Sequence, residues 1–153
     1  MIHTEYKPLL DEPNIQALLK TLSHEAVHIH SNEHLNLITI IAFHSTKLGP
    51  AIGGCRYLPY DSLYEAIQDA CDLSRAMSEK AAIHGLPHGG AKAVTIKTQS
   101  CIPRMAIIQQ IAEWVHSHNG SYITSVDSGT TQSVLQQIRH ITPYVVGHMH
   151  SSN

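Results

Sequence analysis

Three stretches of this sequence gather residues able to do acid–base or anion-binding chemistry. In one, Met77-Ser78-Glu79-Lys80 is followed, beyond Gly85-Leu86-Pro87-His88-Gly89-Gly90-Ala91, by a second lysine, Lys92. If Lys80 and Lys92 converge in a pocket, each ammonium disfavours the other's charge. Burial acts in the same direction and draws a lysine pKa toward neutrality. One lysine then stays charged and binds a carboxylate while the other works as a base. The alternative is two solvated lysines beside a loop. In another stretch, Tyr122 to Thr131, Asp127 falls between a strand-like run and a helix start, a common place for catalytic groups in α/β folds. It could equally cap that helix. The remaining stretch is Leu48-Gly49-Pro50-Ala51-Ile52-Gly53-Gly54-Cys55-Arg56. Its paired glycines allow close approach of a ligand to the backbone, or form a tight turn between a strand and a helix.

A phosphate-binding loop is excluded at Gly85 to Lys92. Ala91 separates Gly90 from the lysine, and no Ser or Thr follows it. The 13 histidines include the pairs His28/His30, His116/His118 and His148/His150. His28 and His30 would share one strand face and the other pairs repeat that spacing, yet none has a Cys or carboxylate at ligand spacing beside it. The pairs read as polar surface, and no metal site is expected. Cys55, Cys71 and Cys101 are scattered and odd in number, which fits reduced thiols better than a disulfide framework.

Alternating helices and strands must position these groups. Asp11 to Leu22 reads as a short helix with Ile15, Leu18, Leu19 and Leu22 on one side. Glu25–His30 and Leu35–His44 read as a hairpin turning through Ser31-Asn32-Glu33-His34. Ser62 followed by Glu65 is a capping-box signature for a helix reaching about Lys80. Ala91–Ile96 reads as a strand, and Pro103 starts a helix with the stripe Ile107, Ile108, Ile111 and Val115. Tyr122–Thr124 is a short strand, Thr130 or Thr131 caps a last helix, and Tyr144–Val146 begins a further strand. The order predicts an α/β three-layer sandwich around a mixed, mostly parallel sheet, with helices on both faces.

With 153 residues, 42% hydrophobic and 14% charged, the chain can bury a substantial core as one domain. A net charge of −2 without a basic block argues against a nucleic-acid surface. The longest apolar run, Leu37 to Phe43, is too short to span a bilayer, and Met1 to Pro8 lack the apolar core of a signal peptide. The expectation is a cytoplasmic protein without nucleic-acid or membrane partners.

Taken together, Leu48–Arg56, Met77–Lys80, Gly85–Lys92 and Tyr122–Thr131 resemble, in order and spacing, the amino-terminal domain of the Glu/Leu/Phe/Val dehydrogenases. Through Ile41-Ala42-Phe43-His44 and the Leu48 segment the resemblance is closest to the leucine branch. It covers about residues 24 to 147. It implies that Lys80 holds the substrate α-carboxylate, helped by backbone around Gly53 and Gly54. Lys92 would be the catalytic lysine of lowered pKa, and Asp127 would shuttle protons to and from the amino group. Ile52, Met77 and Ser125 would line the side-chain pocket. The implied reaction is NAD-dependent oxidative deamination of leucine or a similar branched-chain L-amino acid to its 2-oxo acid, in a homo-oligomer. Glu79, Ala81, Val126 and Gln99 depart from the family's usual residues.

No G-x-G-x-x-G is present. Residues 1–147 are therefore expected to form the substrate-binding and oligomerisation domain, 148–153 to begin a hinge, and the NAD-binding Rossmann domain to be absent. On that reading the chain is the catalytic-lysine half of an oxidoreductase, inactive alone. The competing reading is a stand-alone oligomerisation or amino-acid-binding module without catalysis.

Overall fold

The structure, a computed structural model, describes residues 2–4, 12–98 and 101–147. Asp11, Gln99, the His148/His150 pair and the expected hinge start at 148–153 lie outside the described residues. In chain order the elements are β1 (Ile2–Thr4), α1 (Pro13–Thr21), β2 (Ala26–Asn32), β3 (Leu37–Ser45) and β4 (Ala51–Leu58). There follow α2 (Leu63–Ile83), β5 (Gly89–Ile96), α3 (Arg104–Ser117), β6 (Tyr122–Ser125) and α4 (Gln132–Arg139).

The strands form one sheet in the order β1-β2-β3-β5-β4-β6. Three of the five pairings are parallel, β1 with β2, β4 with β5 and β4 with β6, and β3 pairs antiparallel with both its neighbours. The expected three-layer, mixed and mostly parallel α/β architecture is what the chain adopts. One face carries α1 and α2 over a core of Ile15, Ile29, Ile40, Ile67 and Val94. The other carries α3 and α4 over Ile41, Phe43, Ile111, Tyr122 and Leu135. Alternation along each strand sends successive residues to opposite cores, which is why Leu37 to Phe43 is apolar at nearly every position.

Local chemistry sets the helix starts. Ser62 Oγ accepts from the Glu65 backbone N–H at 3.2 Å, so the capping signature opens α2 as expected. Of the two threonines, Thr131 caps α4, accepting from Val134 N. Pro103 sits one residue before α3 and supplies its fixed φ there. The hairpin turns at Glu33–Asn36, two residues later than expected, with Asn36 in the left-handed region at φ 45°.

Two expectations are corrected. Leu48–Arg56 is not a turn joining a strand to a helix. Ala51 onward is β4, a central strand hydrogen-bonded to β5 and β6 on its two sides. Tyr144–Val146 forms a single bridge, Thr124 with Val145, rather than a strand.

Candidate active site

Alternation decides which residues of the three parallel strands share a face. Ala51 and Cys55 of β4, Ala91 and Ala93 of β5, and Tyr122 of β6 enter the α3-side core. Ile52, Gly54 and Arg56, then Gly90 and Lys92, then Ser125 are thereby turned to the α2 side. The apolar core on that side takes no member from β4 or β6. Among the described residues, a polar strip therefore lies beside α2.

Lys92 occupies the middle of this strip and is 5% exposed. Its Nζ is ion-paired with Asp127 Oδ2. Burial first, and then the Arg56 guanidinium, lower the Lys92 pKa to about 8. The same lysine is therefore substantially neutral at mildly alkaline pH.

Asp127 is held from several directions. Arg56 Nε and Nη2 both reach its Oδ1 at 3.3 Å. The Asp127 backbone N–H donates to Thr130 Oγ1 at 2.8 Å, and that hydroxyl donates on to the Cys55 carbonyl at 2.9 Å. Tyr57 N–H donates to the Ser128 carbonyl at 2.9 Å, so the 127–130 turn is stitched to β4. Gly129, at φ +81°, lies so close to the Tyr57 carbonyl that a Cβ would meet it at 1.9 Å. Asp127 does not cap α4; Thr131 does that, leaving the carboxylate to face the lysine.

Sequence reasoning assigned no role to Arg56, Asp69 or Tyr60. Arg56 Nη1 donates to Asp69 Oδ2 at 2.9 Å, and Tyr60 Oη donates to the same oxygen. The chain Lys92–Asp127–Arg56–Asp69–Tyr60 links β5, the β6–α4 turn, β4 and α2. Burial and the Asp69 carboxylate push the Tyr60 phenol up to about 12, so it stays a donor. The one available signal was an arginine on the strand that also carries Gly54. Nothing local announced its partners 13 and 71 residues away.

Gly53 and Gly54 are packed closely against neighbouring protein atoms. A Cβ on Gly53 would meet the Ala91 carbonyl oxygen at 1.6 Å, and one on Gly54 would meet Asp127 at 2.8 Å. Gly90 is needed where β5 runs beneath α2, its would-be Cβ lying 2.2 Å from Ser78 N. Tyr122 Oη, fully buried, donates to the Gly53 carbonyl at 3.0 Å.

The other expected residues rim this centre. Ile52 and Ser125 are half-buried on its strands, in register with Gly90 and Gly54 respectively. Met77 is half-buried on α2, and Lys80 is exposed on its last turn. Eleven residues at about 100° each return Lys80 to the helix face of Asp69, which looks toward β4. The two lysines differ in setting: Lys92 is buried in the ion-pair network, and Lys80 is exposed.

The parallel-strand connections carry no G-x-G-x-x-G; Pro59 to Ser62 has no glycine, and Val126 to Thr131 has only Gly129. These residues do not build the phosphate turn of a dinucleotide site. What the centre can do is exchange protons with a small polar group placed beside its paired amine and carboxylate.

Comparison with known proteins agrees with this layout. The family description "Glu/Leu/Phe/Val dehydrogenase, dimerisation domain" matches residues 22–144. A valine dehydrogenase of Streptomyces coelicolor is 44% identical over 107 residues, covering 70% of this chain and 29% of its own. A leucine dehydrogenase of Geobacillus stearothermophilus is 38% identical over 129 residues, covering 84% of this chain and 35% of its own. Among solved structures, an L-tryptophan dehydrogenase from Nostoc punctiforme superposes with a TM-score of 0.78 at 35% identity, covering 85% of this chain and 38% of that one. The chain spans about a third of the length of the curated relatives it matches. Valine, leucine and tryptophan dehydrogenases are all similar to it, so the likeness does not single out the leucine branch.

Proposed function

The chain belongs to the Glu/Leu/Phe/Val dehydrogenase family, and from that premise we propose that it supplies the substrate-binding and proton-transfer half of an NAD-dependent amino-acid dehydrogenase. The observation that carries this reading is a buried lysine of lowered pKa set against a carboxylate that an arginine holds in place. On this reading the neutral Lys92 amine takes a proton from the water that adds at the substrate α-carbon. Asp127 passes protons to and from the departing nitrogen. Lys80, exposed at the rim, attracts the α-carboxylate. Backbone N–H groups near Gly53 and Gly54 assist it, although both glycines are already accounted for by packing.

Ile52, Met77 and Ser125 favour an apolar side chain. Leucine or a similar branched-chain L-amino acid is the proposed substrate, with its 2-oxo acid as product. The nicotinamide dinucleotide accepts hydride in such reactions, and its binding falls to residues outside those described. The family's dimerisation role supports a homo-oligomer built through this domain.

The test has two parts. Titration of this chain with the 2-oxo acid of leucine should show saturable binding that Lys80→Ala weakens. Joined to a dinucleotide-binding half, the protein should reduce NAD⁺ with leucine or valine and lose that activity in Lys92→Ala. Binding without turnover in the joined protein would favour the non-catalytic amino-acid-binding module. Near-normal turnover of Lys92→Ala would overturn the catalytic assignment.

A further inference from the structure

On the opposite face of the sheet from Lys92, three histidines from two distant segments meet. His28 and His30 are two residues apart on β2, whose Val27 and Ile29 enter the α2-side core. Their imidazoles therefore point together to the α3 side, with ring centroids 6.2 Å apart and planes 14° from parallel. His118, the residue that ends α3, arrives edge-on to both, 4.7 Å from His28 at 88° and 5.3 Å from His30 at 83°. Its backbone is fixed there: its N–H donates to the Val115 carbonyl, and its own carbonyl accepts from Ser121 N at 3.0 Å and Ser121 Oγ at 2.7 Å. His30 Nε2 and His118 Nε2 lie 3.1 Å apart, and one nitrogen from each of the three rings falls within 4.8 Å of the others.

We propose that His28, His30 and His118 bind one divalent transition-metal ion of the Zn²⁺ class. Two imidazole nitrogens on a tetrahedral ion at about 2.0–2.1 Å stand roughly 3.3 Å apart, close to the His30–His118 separation. A set of three imidazoles without carboxylate favours Zn²⁺, Co²⁺, Ni²⁺ or Cu²⁺ over Mg²⁺ or Ca²⁺. Aromatic walls shape the site: Trp114 stacks on His30 at 5.4 Å, and Phe43 lies 5.5 Å from His28 and 5.2 Å from His118. A surface cleft lined by His28, His118, Glu25, Phe43, Thr46 and Ser121 opens beside the rings.

The sequence reading set metal aside because each His-x-His pair lacked a further ligand. The fold supplies it from 88 residues away. A bound ion would tie the hairpin to the end of α3. Its site is separate from the Lys92 centre, so the inference stands whether or not the dehydrogenase reading does.

Trp114 is the chain's only tryptophan and provides the readout. Co²⁺ added to the EDTA-treated full chain should quench its fluorescence saturably with one ion per chain. The quench should be reversed by excess Zn²⁺, ignored by Mg²⁺, and accompanied by the visible absorption of tetrahedral Co²⁺. In His118→Ala, and separately in His28→Ala, affinity should fall at least about 100-fold, beyond the loss usual for removing an outer-shell partner. His84→Ala, on the exposed end of α2, should bind like the parent. Circular dichroism of each variant tells ligand loss from unfolding, and the parent titration is decisive even where a variant fails to fold. A non-saturating quench, one indifferent to Zn²⁺, or one unchanged in folded His118→Ala would overturn the site.

Discussion

Gly54 and Asp127 are in direct contact: a Cβ built on Gly54 would lie 2.8 Å from both the Cβ and Oδ2 of Asp127 and 2.8 Å from the Val126 carbonyl. The glycine is the seat on which the carboxylate rests while it meets Lys92. Gly54→Ala should cost about 1–3 kcal/mol through overpacking and should lower turnover further by displacing Asp127. Gly53→Ala, which would drive its methyl into the Ala91 backbone, should cost at least as much stability. Urea unfolding of both variants, with turnover of the joined enzyme, checks this; a fully active Gly54→Ala would show that Asp127 need not stay where it is.

Lys92 has to lose its proton before it can act as a base. With a folded pKa of about 8, kcat/KM for deamination should rise with pH and level off above that value. Lys92→Ala should abolish this limb and lower kcat/KM by roughly 10²–10⁴. A pH–rate profile of the joined enzyme reads both effects.

On the proposed reading Arg56, which touches Asp127 and Asp69, is a positioning residue. Its charge helps hold the Lys92 pKa down, so Arg56→Met should move the alkaline limb to higher pH as well as lower the rate. Arg56→Lys restores the charge but not the forked contact, and should recover the limb more than the rate. An unmoved limb in Arg56→Met would assign the arginine to stability alone.

Acid should destabilise the fold below neutrality. His24 Nε2 lies 2.9 Å from both the Cys71 carbonyl and Ser74 Oγ, and its ring packs edge-on to His44 at 5.0 Å. Burial lowers both pKa values below 6.5. The unfolded chain therefore takes up protons at a higher pH than the folded one, and stability present above about 6.5 is lost as pH falls through the folded values. Urea midpoints at pH 7 and pH 5 should show the drop, and His24→Gln should shrink it.

The three thiols should separate by reactivity. Cys101 is exposed, whereas Cys55 and Cys71 are buried, and burial pushes them up to about 11 and about 12. A thiol reagent should modify one cysteine in the native chain and three after denaturation. Rapid reaction of all three in the native state would contradict the packing around β4 and α2.

The helices and the hairpin were legible because their signals are local. A 3.6-residue stripe in α2 and α3, Ser62 before Glu65, and alternation in β2 require only near neighbours. The family resemblance likewise carried Lys92 and Asp127, which the fold does place together. What stayed illegible depends on distant segments. Gly53 and Gly54 have poor strand propensity, yet β4 is central because β5 and β6 pair with it on both sides and approach where only glycine leaves room. Lys80 and Lys92, close in sequence, differ in burial, one exposed at the end of α2 and the other enclosed by the sheet and its ion pair. Arg56 meets Asp127 only once β6 pairs with β4, and His118 meets the His28/His30 pair only once α3 docks on the sheet. Sequence spacing records strand and helix periodicity; which side chains then face one another is decided by strand order and crossover, and those are settled by packing the whole core.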